Sequence, residues 1–209
     1  MGLSAFFSSQ ARKPSGLFGR LVMSAVFNIG NANINRFVYE MMSVKENDHI
    51  LEIGFGTGKL MYEMAGHIDT GLIEGVDFSE DMVSIARRKN KGYLAEGKVR
   101  IHKGNFDDMP FRKGIFAKAC SVNTIYFWQD PDQTARKIAN ILEPGGMFVT
   151  AFEDIEQLEK RQLSEDIFRL YSTDRVKSLL IEAGFSTPVH IETRKFGSSL
   201  LNCAVAMKT

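Results

Sequence analysis

Ile50-Leu-Glu-Ile-Gly-Phe-Gly-Thr-Gly-Lys-Leu60 is the stretch that decides the fold. A short apolar run carries one acid at Glu52, three glycines alternate at Gly54, Gly56 and Gly58, and a helical pattern then begins. This order reads as a parallel strand feeding a tight turn and a helix, the place where an α/β sheet binds a nucleotide-like ligand. Glycines lack Cβ, so the turn can take unusual dihedrals and a ligand can lie against the backbone. Purely structural strand-to-helix turns use glycine too, so the turn gains its meaning from the residues downstream of it. Leu72-Ile-Glu-Gly-Val-Asp77 reads as a second strand ending in an acid, 23 residues past Gly54. An acid at the tip of the second strand, ~20 residues past such a turn, can accept hydrogen bonds from ribose hydroxyls. Ser79 is expected to cap the next helix, a role compatible with Asp77 on a ribose.

The spacing excludes two common ligands. A dinucleotide fingerprint would need its third glycine at Lys59, and a phosphate-binding Walker loop would need Ser or Thr at Leu60. Glu52-x-Gly54-x-Gly56-x-Gly58 instead resembles motif I of the class I S-adenosylmethionine-dependent methyltransferases. Three further segments are similar to the small-molecule branch of that family, in order. They are Gly75-Val-Asp77-Phe-Ser-Glu-Asp-Met82, Gly104-Asn-Phe-Asp-Asp-Met-Pro-Phe111, and Asp130-Pro131 with Ile141-Leu-Glu-Pro-Gly-Gly146 after it. The resemblance spans roughly residues 45–207.

That resemblance implies a Rossmann-like, doubly wound α/β sheet of seven strands in the order 3-2-1-4-5-7-6, the last antiparallel. It implies S-adenosylmethionine as cofactor, S-adenosylhomocysteine as product, and a small-molecule acceptor methylated by in-line substitution. Carried over residue by residue, Glu52 would hold the methionine amino end, the three glycines would let that moiety pass over the backbone, and Asp77 would bind the ribose. Phe78 and Met82 would meet the adenine, Asn105 and Phe106 would close its other edge, and Ser121 would lie at the cofactor's side of the fourth strand. Asn105 stands where the family commonly has Asp, and an amide oxygen can still accept from the adenine amino group. The end of the fourth strand, Ser121-Val-Asn-Thr-Ile-Tyr-Phe-Trp128, should face the transferred methyl. Asn123, Tyr126 and Trp128 are therefore expected around the acceptor, with Tyr126 as the candidate catalytic proton acceptor. The branch often has two histidines where Tyr126 and Phe127 stand, so an obvious general base is missing. Asn123-Thr-Ile-Tyr126 only superficially resembles the Asn-Pro-Pro-Tyr of amino-methylating nucleic-acid enzymes, because both prolines are absent.

Bulk properties agree. A chain of 209 residues with 26 basic and 25 acidic side chains suits one domain with a large core and argues against a nucleic-acid partner. The basic run Arg87, Arg88, Lys89, Lys91 falls near a helix end, where cations complement the dipole. Cys120 and Cys203 read as free buried thiols, and the scattered histidines (His49, His67, His102, His190) predict no metal site. No segment reads as a signal or a stable membrane insertion, so a cytoplasmic location is expected.

Residues 1–44 read as an N-terminal arm and helical lid, and residues 45–209 as the cofactor-binding domain. In the first part a helical pattern runs over 17–43, broken at Gly30-Asn31. Its mixed face includes Phe18, Phe27, Asn28, Asn31, Asn35, Arg36 and Tyr39, of which Arg36 and Tyr39 are candidates to contact bound ligand; simple packing on the sheet is the alternative. In the second part strands are predicted at 49–53, 72–77, 98–102, 115–121 and 146–152, with helices at 58–67, 79–91 and 132–142. The tail adds a helix at 173–183 and strands at 188–195 and 199–207, paired antiparallel across Gly197-Ser198. A catalytically silent S-adenosylmethionine-binding sensor or assembly protein would share every cofactor feature. A nicotinamide oxidoreductase is disfavoured by the glycine spacing and by Glu143-Pro-Gly-Gly146.

Overall fold

The computed structural model describes residues 32–153, 155–159, 169–197 and 199–209. The expectations for Phe18, Phe27, Asn28 and the Gly30-Asn31 break lie outside these residues. Seven strands form one sheet in the order β3-β2-β1-β4-β5-β7-β6. They are β1 (His49–Ile53), β2 (Leu72–Asp77), β3 (Val99–Lys103), β4 (Phe116–Val122), β5 (Leu142–Glu153), β6 (His190–Phe196) and β7 (Ser199–Met207). β1 pairs in parallel with both β2 and β4, whereas β7 runs antiparallel to β5 and β6. The expected topology is therefore the observed one. Because the strand order reverses at β1, the connections leaving β1 and β4 diverge and open a crevice at their C-terminal ends.

Alternation along β1 assigns its side chains to two cores. Leu51 and Ile53 join the face covered by α5 (Pro131–Ile141) and α7 (Thr173–Glu182), with Ile138, Leu179 and Leu180. Ile50 joins the face covered by α1 (Ala32–Met42), α2 (Lys59–Ala65) and α3 (Glu80–Lys89), with Phe37, Leu60, Met64 and Ala86. Strands buried on both faces are mainly apolar, and β1 and β2 follow this apart from the buried acids Glu52, Glu74 and Asp77. α1 belongs to this second core. Phe37 and Val38 are fully buried, and Phe37→Ala would cost about 3–5 kcal/mol, so this helix is a structural element of the sheet's face.

Local chemistry sets the helix ends. The Ser79 hydroxyl caps α3 by accepting from the Met82 N–H, Glu80 and Asp81 fill its first turn, and Arg87, Arg88 and Lys89 fill its last. The basic run thus complements the dipole. The helix expected over 79–91 stops at Lys89, and a short α4 (Lys91–Ala95) comes after Asn90. Asp130 caps α5 ahead of Pro131 in its first turn. β5 begins earlier than expected because Leu142 already pairs with Phe116 before a register shift. β6 begins later, at His190, two residues past Pro188, which has no N–H for a ladder. Among the described residues the link from β3 to β4 holds no α-helix, only a 3₁₀ turn at Phe106–Asp108. A short α6 (Ile155–Glu159) comes after β5.

Candidate functional site

The crevice is built around the glycine turn. Gly54, Gly56 and Gly58 all have positive φ, at 71°, 54° and 68°, in the left-handed region that side chains with a Cβ rarely enter. Each occupies a different surrounding. A Cβ on Gly54 would lie 2.5 Å from Thr124 Cγ2, and one on Gly58 would lie 2.7 Å from Ala86 Cβ and 2.9 Å from Asn90 Nδ2. A Cβ on Gly56 would meet nothing within 4 Å among the described residues. The outer two glycines are required by packing, whereas the middle one faces open space where a ligand can approach the backbone.

Asp77 crosses from the tip of β2 to this turn. Its Oδ2 accepts the Gly56 N–H at 2.9 Å and its Oδ1 accepts the Ser79 N–H at 2.9 Å. Burial raises its pKa from 3.8 to about 6, and the two backbone donors only partly counter that rise. Glu52 lies on the adjacent strand, fully enclosed, and accepts a hydrogen bond from the Met61 backbone. Its other oxygen, Oε2, has no hydrogen-bond partner among the described residues. Burial first, and the neighbouring Asp77 charge second, push the Glu52 pKa well above the ordinary carboxylate range. A buried carboxylate with a spare oxygen is costly unless a donor or cation meets it. The two acids therefore suit a ligand that carries hydroxyls and an ammonium group.

The remaining predicted residues divide. Phe78 is half-buried beside Asp77, and Met82 is buried in the first turn of α3. The Asn105 side chain accepts from the Asp107 N–H and donates to Asp108 Oδ2 at 3.2 Å, so it caps the 3₁₀ turn. Phe106 differs from expectation: its ring faces the core, stacked on Phe111 with centroids 6.0 Å apart. Ser121 is likewise fully buried, its hydroxyl paired with that of Thr150 at 2.9 Å.

At the end of β4, Asn123 has a positive φ of 54° and its N–H donates to the Ala151 carbonyl. A left-handed asparagine is a strained conformation that sites commonly hold. The Tyr126 ring is buried, and its hydroxyl oxygen accepts the Glu153 N–H at 2.6 Å. This bond ties the loop after β4 to the end of β5, so Tyr126 acts as a strut between them. Trp128 is also buried, and among the described residues neither its indole N–H nor the Thr124 hydroxyl has a hydrogen-bond partner. Arg36 is exposed on α1 and pairs with Glu40, which also meets Arg194 on β6. Tyr39 packs against the core beneath α1. The described part of the expected lid thus packs on the sheet, and the Arg36 guanidinium pairs with Glu40.

Two supporting residues escaped sequence reading. Asn90, fully buried, donates from Nδ2 to the carbonyls of Gly58 and Ala86, each at 3.0 Å. Lys137 on α5 holds the turn after β3. Neither has a local signal, because each acts on a segment about thirty residues away. Among the described residues no cluster of His, Cys, Asp and Glu could hold a metal ion, and no helix is long and apolar enough to cross a membrane.

Residues 50–146, from β1 to the Pro-Gly-Gly turn inside β5, match the family model described as "Methyltransferase domain". Over these residues the chain resembles methyltransferase domains. Similarity extends beyond that match. An uncharacterized methyltransferase of Bacillus subtilis, YdaC, is 27% identical over 178 residues, covering 85% of this chain and 93% of its own. A methyltransferase of Haloferax volcanii, solved in complex with the Trm112 methyltransferase activator, superposes with a TM-score of 0.74 at 21% identity, over 98% of this chain and 99% of its own. The phosphoethanolamine N-methyltransferase 2 of Haemonchus contortus, solved with S-adenosyl-L-methionine, gives a TM-score of 0.77 at 17% identity, over 99% of this chain and 60% of its own. These two structures share this chain's fold.

Proposed function

We propose that this methyltransferase transfers the methyl group of S-adenosylmethionine to a small-molecule acceptor by in-line substitution. The observation that carries the reading is the pairing of Glu52, with its unpartnered Oε2, and Asp77 across a glycine turn whose Gly56 faces open space. In this reading Glu52 meets the donor's ammonium group, the Gly54–Gly58 turn takes its methionine moiety, and Asp77 accepts from its ribose hydroxyls. Phe78 and Met82 offer one apolar wall to the adenine, and Asn105 one amide edge.

The donor's sulfonium supplies the activation for methyl transfer. The protein's share is to orient the two reactants and exclude water, which alone can lower a barrier by several kcal/mol. On the acceptor side, the Thr124 hydroxyl and the Trp128 indole N–H are buried polar groups without partners among the described residues. Such groups cost about 1–3 kcal/mol each until paired, so they favour an acceptor carrying hydrogen-bonding atoms next to its apolar body. Asn123 and the ring of Tyr126 frame the same end of β4. The near-balanced charge, 26 basic against 25 acidic residues, supports a small acceptor over a nucleic acid.

A second reading, a silent donor-binding protein, is favoured by one observation: the Tyr126 hydroxyl is already engaged with the Glu153 backbone. Release of S-adenosylhomocysteine over a panel of oxygen, nitrogen, carbon and sulfur acceptors separates the two. Turnover on any small acceptor establishes the enzyme. Donor binding with no turnover across the panel supports the silent reading.

A further inference from the structure

The turn after β3 has little structure of its own. Asn105–Met109 contains one 3₁₀ turn, and no α-helix among the described residues spans the link to β4. Its shape is imposed from α5. Lys137 Nζ donates to three carbonyls of this segment, those of Phe106, Asp107 and Met109, each at 2.7 Å. Three donors on one ammonium are thereby all used. The same ammonium lies 5.0 Å from the centroid of the Phe106 ring. One helical turn earlier, the Thr134 hydroxyl donates to Asp107 Oδ1 at 2.9 Å.

From this geometry we infer that Lys137 is the positioning residue for adenine recognition: it fixes the turn that presents Asn105 and so sets the preference for an adenine base. The inference rests on the donor-binding reading above, in which Asn105 faces the base. Lys137 acts through the carbonyls of that turn, which take all three of its donors. Charge-assisted bonds to three carbonyls of one short segment hold it in a single conformation. Without them the Asn105 amide would sample orientations that do not match the base, and hydrogen-bond readout would be lost before general affinity. Arginine at this position keeps the charge but spreads its donors over a planar fork, so it cannot converge on the same three oxygens.

The test measures the affinity of S-adenosylhomocysteine and of S-inosylhomocysteine, whose base lacks the adenine amino group, on the purified full chain. The native protein is expected to prefer the adenine compound by about tenfold, corresponding to ~1.4 kcal/mol. In Lys137→Met that preference should fall to within about twofold, with faster amide exchange confined to residues 105–109. Lys137→Arg should lie between the two. Lys137→Met with native preference and native exchange overturns the inference while leaving the donor site standing. So does an equal loss of affinity for both compounds, which would mark general loosening. Failure of the native protein to bind S-adenosylhomocysteine would instead overturn the donor-binding reading itself. Should Lys137→Met not fold, the same comparison is made with Lys137→Gln.

Discussion

Asp77→Asn is expected to make the protein more stable and bind its donor less well. Burial holds the Asp77 pKa at about 6 against an ordinary 3.8. At about 1.4 kcal/mol per pH unit, ionising this group in the folded protein therefore costs ~3 kcal/mol more than in the unfolded chain. Below pH 3.8 both states are protonated and nothing is lost. Between 3.8 and about 6 the penalty grows, and above 6 it is fully present. Asparagine is a neutral isostere that keeps an acceptor oxygen for one of the two backbone donors at Gly56 and Ser79. Its amide must then face the other donor, which takes back about 1 kcal/mol. The variant should thus be about 2 kcal/mol more stable at pH 7.5, raising Tm by roughly 4–8 °C for a chain of this size. The gain should shrink as pH falls through 6 and disappear near 4. Weakening a charge-assisted bond from the ribose is worth about 1.5–3 kcal/mol, so donor affinity should drop roughly 10–100-fold. Thermal melts from pH 4 to 8, with donor titrations on the same samples, test both parts. A variant less stable than the native protein at pH 7.5, with an offset that does not change with pH, would refute the reasoning.

Three further outcomes are expected. Glu52→Gln should abolish the proton release that accompanies donor binding in the native protein, because an arriving ammonium lowers a pKa that burial has raised; calorimetric enthalpies in buffers of different ionisation heat report this. Gly58→Ala should lose more stability than Gly56→Ala, since its Cβ meets Ala86 and Asn90 whereas that of Gly56 meets only open space. Left-handed strain of about 1–3 kcal/mol is common to both, but Gly56→Ala should show the larger loss of donor affinity relative to its change in Tm. Lys118→Met should destabilise the chain by about 3–5 kcal/mol in chemical denaturation, because it strands Asp48, buried and 2.6 Å from the Lys118 ammonium.

What the sequence makes legible is local or periodic. The β1–turn–α2 unit is readable because glycine spacing, apolar run and helix start lie within eleven residues, Ile50 to Leu60. Asp77 is readable because strand β2 ends on it. The sheet order comes from the resemblance. The antiparallel tail rests on two short strands around Gly197, whose φ of 62° suits the turn. Other features depend on distant contacts. The Phe106 ring, expected at the adenine edge, lies in the core with Phe111; an aromatic there serves packing as well as binding, and only the turn's orientation decides. The Tyr126 hydroxyl bonds a backbone group on β5, 27 residues away. Asn90 and Lys137 carry no motif because each stabilises a carbonyl set that forms only when the sheet assembles. Arg36 can be read from α1 only as a mixed-face residue, and its exposed pairing with Glu40 has no signal beyond their spacing.

The most direct test of the donor site is calorimetric titration of the purified chain with S-adenosylmethionine at pH 7.5, alongside Asp77→Asn and Glu52→Gln. One site per chain with micromolar affinity, about −8 kcal/mol, is predicted, weakened by both substitutions. No binding at millimolar donor, or binding that neither substitution alters, would contradict it.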